Sequence, residues 1–315
     1  MPGLTALALD LGGSHLTCAV VQGESILARE TLPAEANGNL ADLLSLMAGR
    51  IDRLFDEAGI SRFDCAGVAL GFPGIVHACE KRVLATNKKF SDATEIDLNG
   101  WFRRKLSLPF YLENDARMAL LGEHAFGAAR GAEDAVMVTL GTGIGGSAML
   151  NGRLLRSKNG LAGMIGGHLP VVLDGKICSC GNRGCAESEA ATAFLDQVIE
   201  QFKSAGAASF DGHAPSGFAE LFDAADRGDK AAVAILDHCM RVWSVLTVAL
   251  IHAYDPEVVV YGGSVLKRSS DILPRLQEYV NAHAWTPGRN VPLRVSRFGS
   301  DAALLGAIPL IESFA

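Results

Sequence analysis

One pattern occurs twice in this chain. Residues 135–150, AVMVTLGTGIGGSAML, lie over residues 6–21, ALALDLGGSHLTCAVV. In each copy an apolar run meets a glycine turn, and a second apolar run follows at once. Connections this short leave no room for a crossover helix, so each copy reads as a β-hairpin. Internal self-similarity of this kind implies two related domains that face each other.

The remaining segments can be placed around the two hairpins. Strands at Leu4–Asp10, Leu16–Val21 and Ser25–Thr31 form a meander. Asn39 reads as the N-cap of a helix over Leu40–Ala58. Its residues Leu43, Leu44, Met47, Ile51, Leu54 and Phe55 keep helical spacing, and Gly59 stops it. A buried strand at Cys65–Leu70 runs into the turn Gly71-Phe72-Pro73-Gly74. A short helix, Trp101–Leu106, precedes a strand at Phe110–Leu112. After the second hairpin, helices are expected at Ser188–Lys203, Gly217–Asp226 and Lys230–Tyr254. A strand at Glu257–Tyr261 enters Gly262-Gly263-Ser264 and a further helix. Strand Leu293–Phe298 and helix Ala302–Glu312 close the chain. Strands alternating with helices make the class α/β.

Composition narrows the partners. The 315 residues are 49% hydrophobic and 20% charged, which excludes a disordered chain. A net charge of −7 argues against a general binder of nucleic acid or anionic membrane. The most apolar stretch, Val242–Tyr254, is 13 residues, short of the ~20 that a membrane span needs. The start, Met1-Pro2-Gly3-Leu4-Thr5, lacks the basic region of a secretory signal. A cytoplasmic protein is expected.

Three constellations could carry chemistry. The first is the pair of glycine turns. Gly141-Thr142-Gly143-Ile144-Gly145-Gly146 matches G-x-G-x-x-G, but a hairpin rather than a helix follows it. No Asp or Glu occurs between Asp134 and Asp174, so the dinucleotide reading fails. There is no Walker A motif either. Two facing turns, Asp10–Ser14 and Gly141–Gly146, can instead wrap a polyphosphate with backbone N–H groups. Asp10 would then lie near the metal-nucleotide.

The second is His168 followed by Cys178, Cys180 and Cys185. One imidazole and three thiolates suit a tetrahedral structural Zn²⁺ site. The seven cysteines are an odd number, and Cys178 and Cys180 are too close for an unstrained disulfide. The third is Glu113-Asn114-Asp115, at the junction of a strand and a helix. An Asp there can take a proton from a hydroxyl nucleophile, or the pair can simply cap the helix.

Together these residues resemble the ROK family of sugar kinases and sugar-binding repressors, within the actin-like ATPase superfamily. The resemblance covers nearly the whole chain. It implies two actin-like, ribonuclease H-like α/β domains with a cleft between them. The smaller would be residues 1–112 joined by a C-terminal helix at 301–315, the larger 113–300 with the zinc segment. The function implied is ATP-dependent phosphorylation of a hexose, or of an N-acetylhexosamine, on its primary hydroxyl. Asp10, Gly12, Gly13, Ser14, Gly141, Thr142 and Gly143 resemble the phosphate loops, and Gly262, Gly263 and Ser264 the nucleoside loop. Asp115 is similar to the catalytic base. Gly71, Pro73, Gly74, Asn87, Asn114, His168 and Glu187 are similar to sugar contacts. ATP, Mg²⁺ and a structural Zn²⁺ held by His168, Cys178, Cys180 and Cys185 are implied, as is a homodimer.

The family's repressors carry an added N-terminal helix-turn-helix region. This chain opens directly on the first phosphate-loop strand, which favours the kinase branch over a sugar-binding regulator. Two departures stand out. Gly163-Met164-Ile165-Gly166-Gly167-His168 is one residue longer than the family's G-E-x-G-H run and has no acid. Arg117 stands where the family commonly has Asn. The missing acid leads to the expectation that Met164, or the backbone beside it, faces a sugar hydroxyl.

Overall fold

The computed structural model describes residues 3–13, 15–34, 38–86, 89–206, 210 and 213–314. The first half runs β1 (Thr5–Leu11), β2 (His15–Gln22), β3 (Ser25–Pro33), α1 (Leu40–Ala58), β4 (Cys65–Phe72), β5 (Gly74–His77), β6 (Arg82–Thr86), α2 (Leu98–Leu106), β7 (Phe110–Asn114) and α3 (Asp115–Phe126). The second half continues with β8 (Ala135–Leu140), β9 (Ile144–Leu150), β10 (Arg153–Leu154), α4 (Ala186–Ala190), α5 (Leu195–Ser204), α6 (Phe218–Asp226), α7 (Lys230–Tyr254), β11 (Val258–Gly262), α8 (Ser269–His283), β12 (Leu293–Val295), α9 (Ala302–Leu305) and α10 (Ala307–Glu312).

The sequence repeat is a repeat of topology. One sheet is ordered β3-β2-β1-β4-β7, the other β10-β9-β8-β11-β12. In each, the three hairpin strands are antiparallel and the last two are parallel to the first. Alternation along β1 splits its side chains between two cores. Leu7, Leu9 and Leu11 pack with α1 and α2, whereas Ala6 and Ala8 face a central core. That central core also takes Ala135 and Met137 of β8, and α3, α9 and α10 fill it. The α3–α9 crossing is close. A Cβ on Gly122 would lie 3.0 Å from the Gly306 nitrogen, so both helices need glycine there.

Helix α7 is, among the described residues, the one helix long and apolar enough to cross a membrane. Here it is a core helix: Ile235, Trp243, Leu246 and Leu250 pack against Val136, Val138 and Val259.

Several local expectations are corrected. Asn39 has an N-cap backbone but makes no side-chain cap bond. The carboxylate of Asp92 takes the N–H groups of Leu40 (2.9 Å) and Ala41 (3.0 Å) instead. Gly71 and Phe72 are not in a turn; they still pair with Glu113 and Asn114 of β7. The hairpin β5–β6 follows directly. The expected helix over 188–203 breaks into α4 and α5 because the chain leaves helix to hold the second glycine turn. Thr192 N–H bonds the Gly141 carbonyl at 3.1 Å and Ala193 N–H that of Thr142 at 2.9 Å. β12 ends at Val295, and buried Glu123 then takes the Ser296 hydroxyl and the N–H groups of Arg297 and Phe298. The last helix breaks at Gly306; Pro309 also has no N–H to return to the preceding turn.

Candidate functional site

β7 delivers Asn114 and α3 begins at Asp115, so both stand where the first sheet meets the central helix. Asn114 is the cap: its Oδ1 accepts the Arg117 N–H at 3.2 Å. Its amide donates to the carbonyls of Phe72 (3.4 Å) and Gly74 (3.3 Å) and to Asp115 Oδ1 (2.9 Å). Asp115 Oδ1 also accepts the Ala116 N–H at 2.8 Å. The Asn114 amide and the Ala116 N–H thus fall on one oxygen of this carboxylate. Burial pushes Asp115 up to about 6, against the pull of those bonds.

Asp10 ends up beside it. A Cβ on Gly71 would meet Met118 Sδ at 3.1 Å, Asp115 Cα at 3.4 Å and Asp10 Oδ1 at 3.5 Å, so Gly71 lies between the two acids. Burial, then the charges of Asp115 and Asp301, push Asp10 up to about 7. Folded protein therefore holds a proton that the unfolded chain, titrating near 3.8, has released. The stability that Asp10 contributes is present below about pH 4 and is lost as pH rises to about 7. Asp10→Asn is expected to raise the unfolding temperature at pH 7.5 and to flatten its pH dependence. Thermal melts at pH 5 and 7.5 check this; an unchanged or lower temperature at pH 7.5 contradicts it.

The two glycine turns do face each other. A Cβ on Gly13 would lie 4.0 Å from Thr142 Oγ1, and one on Gly141 would lie 3.7 Å from Ser264 Oγ. Gly12 closes the first turn by bonding the His15 carbonyl at 2.8 Å. Gly263 has φ 92°, and a side chain there would strike the Leu140 backbone. Gly71 thus stands beside Asp115 and Asp10 of β1, Asn114 reaches Gly74, and the two turns and Ser264 lie close together. Ser14 and Asn87 lie outside the described residues.

His168, Cys178, Cys180 and Cys185 place their ligand atoms within 4.8 Å of one another. Cys178 Sγ is 3.5 Å from His168 Nδ1, and Cys180 Sγ is 3.7 Å from Cys185 Sγ. A tetrahedral zinc with bonds of about 2.0–2.3 Å separates its ligands by about 3.4–3.8 Å. Burial and the neighbouring thiols push Cys185 up, a penalty a cation removes. The residues fit zinc. Glu187 links this cluster to the second turn: Oε2 accepts the Ile144 N–H at 3.1 Å, and Oε1 lies 4.0 Å from His168 Nδ1.

The sequence reading singled out Arg117 and Met164 without finding what they touch, and it did not find Lys89. Lys89 donates to the Gly13 carbonyl, bringing a cation to the first turn. Arg117 is 1% exposed and ties α3 to residues 155–162. Met164 is 6% exposed and packs inward, while its neighbours Leu161 and Ile165 carry the exposed apolar surface of the segment. No motif announces the contacts of Lys89 and Arg117; only the position of Arg117 one turn into α3 hints at a buried role.

Comparison with known proteins places the chain in a family and a fold. Residues 6–313 match the ROK family. A glucokinase of Thermotoga maritima is 31% identical over 320 aligned positions, covering 99% of this chain and 98% of its own length. The solved ROK hexokinase of Thermus thermophilus matches with a TM-score of 0.79 at 29% identity, over 98% of this chain and 97% of that one. A ROK family glucokinase from Streptomyces griseus, solved in complex with glucose and AMPPNP, gives 0.78 at 26% identity, over 98% and 99%.

Proposed function

The chain belongs to the ROK family and is a glucokinase-like sugar kinase; we propose that it transfers the γ-phosphoryl group of ATP to the primary hydroxyl of a hexose. The observation that carries this reading is the capping of α3 by Asn114, which leaves Asp115 free to act as a base while fixing its orientation. The hydroxyl oxygen attacks the γ-phosphorus as the bond to the β-phosphate oxygen breaks, and the hydroxyl proton passes to Asp115. Such transfers depend mainly on positioning and charge neutralisation. Backbone N–H groups of the two glycine turns cradle the phosphates, and Gly262–Ser264 border the nucleoside. Mg²⁺, when bound, would neutralise phosphate charge, with Asp10 to hold it. Zn²⁺ on His168 Nδ1 and the three cysteines would fix the imidazole, leaving Nε2 for a sugar hydroxyl. Gly71, Pro73, Gly74, Asn87, Asn114 and Glu187 complete the acceptor side. The same reading carries a cytoplasmic homodimer.

Residues 160–168 offer no carboxylate to the acceptor. A sugar hydroxyl that needs a charged acceptor there loses about 1–3 kcal/mol, or about 5- to 150-fold in affinity. Hexoses with less polar surface around C1 and C2 should therefore have lower KM values than glucose. The test uses MgATP with glucose, mannose, fructose, allose and N-acetylated hexosamines, reading ADP by a coupled assay and the product by ³¹P NMR. A phosphate ester on the primary carbon is expected. Phosphate on another carbon would refute the assignment of the hydroxyl, and glucose emerging as the best substrate would refute the selectivity argument.

A further inference from the structure

We infer that Arg117 is a positioning residue that sets the acceptor segment, residues 155–168, against Asp115 and thereby tunes which sugar the site accepts. This rests on the kinase reading above. Arg117 lies two positions after Asp115 on α3, and its guanidinium enters the segment rather than solvent. Nη2 donates to the carbonyl of Leu155 at 2.7 Å and to that of Ala162. Nη1 donates to the carbonyl of Gly160 at 3.1 Å and to Glu113 Oε1 at 3.2 Å. Three carbonyls of one loop thus converge on one planar fork, which a lysine or an amide cannot reproduce.

The remaining contacts leave the segment little other freedom. Lys158 meets His77 of β5 through its carbonyl, 3.0 Å from Nε2. Gly160 has φ 79°, and a Cβ there would lie 2.7 Å from the Val76 carbonyl. At the far end, a Cβ on Gly146 would lie 2.8 Å from Gly166 Cα, so β9 and the turn into His168 are in backbone contact. Arg117 and the Ala148 carbonyl of β9, which takes the Leu155 N–H at 2.9 Å, together fix where the segment begins, and β9 fixes where it ends.

The same charge network reaches the base. Glu113 is 0% exposed and also takes Arg156 Nε at 2.9 Å and the Asn114 N–H at 3.0 Å. Asn114 in turn holds Asp115. One buried network thus joins the group that orients the base to the loop that borders the acceptor. A shift of about 1 Å between them is worth about 10²-fold in rate.

The experiment compares wild type, Arg117→Lys, Arg117→Met and the paired Glu113→Gln/Arg117→Met, which leaves no unpaired buried carboxylate. Steady-state kinetics with several hexoses and hydrogen exchange over 155–168 are measured on each. For Arg117→Lys, hexose kcat/KM is expected to fall about 10- to 100-fold and the order of hexose preference to change, with KM for ATP within about twofold. Amides of 155–168 should exchange faster in all three variants. Folded variants that keep the wild-type hexose KM, preference and exchange, with only a lower melting temperature, overturn the inference. If wild type forms no ADP with any hexose, the kinase reading fails, and the exchange data alone then decide the anchoring: unchanged protection overturns it.

Discussion

Asp115→Asn should lower turnover by about 10²–10⁴-fold, the usual worth of a general base in proton transfer. Sugar affinity should stay close to wild type. The substitution is isosteric, and its oxygen can still accept the Ala116 N–H that holds Oδ1 at 2.8 Å. What is lost is the ability to receive the hydroxyl proton. Helix α3 should not suffer, because Asn114 and not Asp115 provides the cap. Turnover by a coupled assay and sugar affinity by calorimetry separate these effects. Wild-type turnover in the variant would reduce Asp115 to a residue of the first helical turn. A pH profile adds a second check. With Asp115 pushed up to about 6, kcat/KM of wild type should fall below that pH, as the base takes up a proton. The residual activity of Asp115→Asn should lack that limb.

Loss of one thiolate should have the second large effect. Wild-type protein prepared without chelator is expected to carry about one zinc per chain. Cys180 is exposed whereas Cys178 and Cys185 are buried, so Cys180→Ser removes a ligand without opening the core. Metal content should drop, and sugar affinity should fall about 10- to 100-fold as His168 loses its fixed orientation. The nucleotide should still bind, since the first turn is closed by the Gly12–His15 bond and the second is held by Thr192 and Ala193, away from the cluster. Elemental analysis and parallel titrations with sugar and ATP measure all three. Wild type free of zinc, or a variant with full sugar affinity, contradicts the role given to the cluster.

Much of this was legible before any coordinates. The two hairpins could be read because both copies keep the same apolar runs around a glycine turn, and such runs form strands wherever they are placed. The thiol–imidazole set could be read because its chemistry is local in sequence, within 18 residues of His168 to Cys185. What stayed hidden depends on contacts between distant segments. Asp92 caps α1 from 52 residues away, and nothing near Asn39 says so. The break between α4 and α5 exists because Thr192 and Ala193 donate to a turn 51 residues earlier. Helical periodicity continues across that break and conceals it. Arg117 sits in a helix whose composition suggests only amphipathicity; its three carbonyl partners lie on a loop 38 to 45 residues on. Met164, or the backbone beside it, was expected to meet substrate because the run lacks the acid that the resembling family has there. The backbone contact of Gly166 with Gly146 seats this turn on β9, and Met164 is buried there.

The central claim is that this cleft joins a sugar to a nucleotide under control of Asp115. Hexose-dependent ADP formation by wild type and Asp115→Asn, measured side by side in the same MgATP buffer, tests it most directly. The account predicts ADP release by wild type that saturates with at least one hexose and a loss of about 10²–10⁴-fold in the variant. ADP release that ignores the sugar, or equal rates in the two proteins, would contradict it.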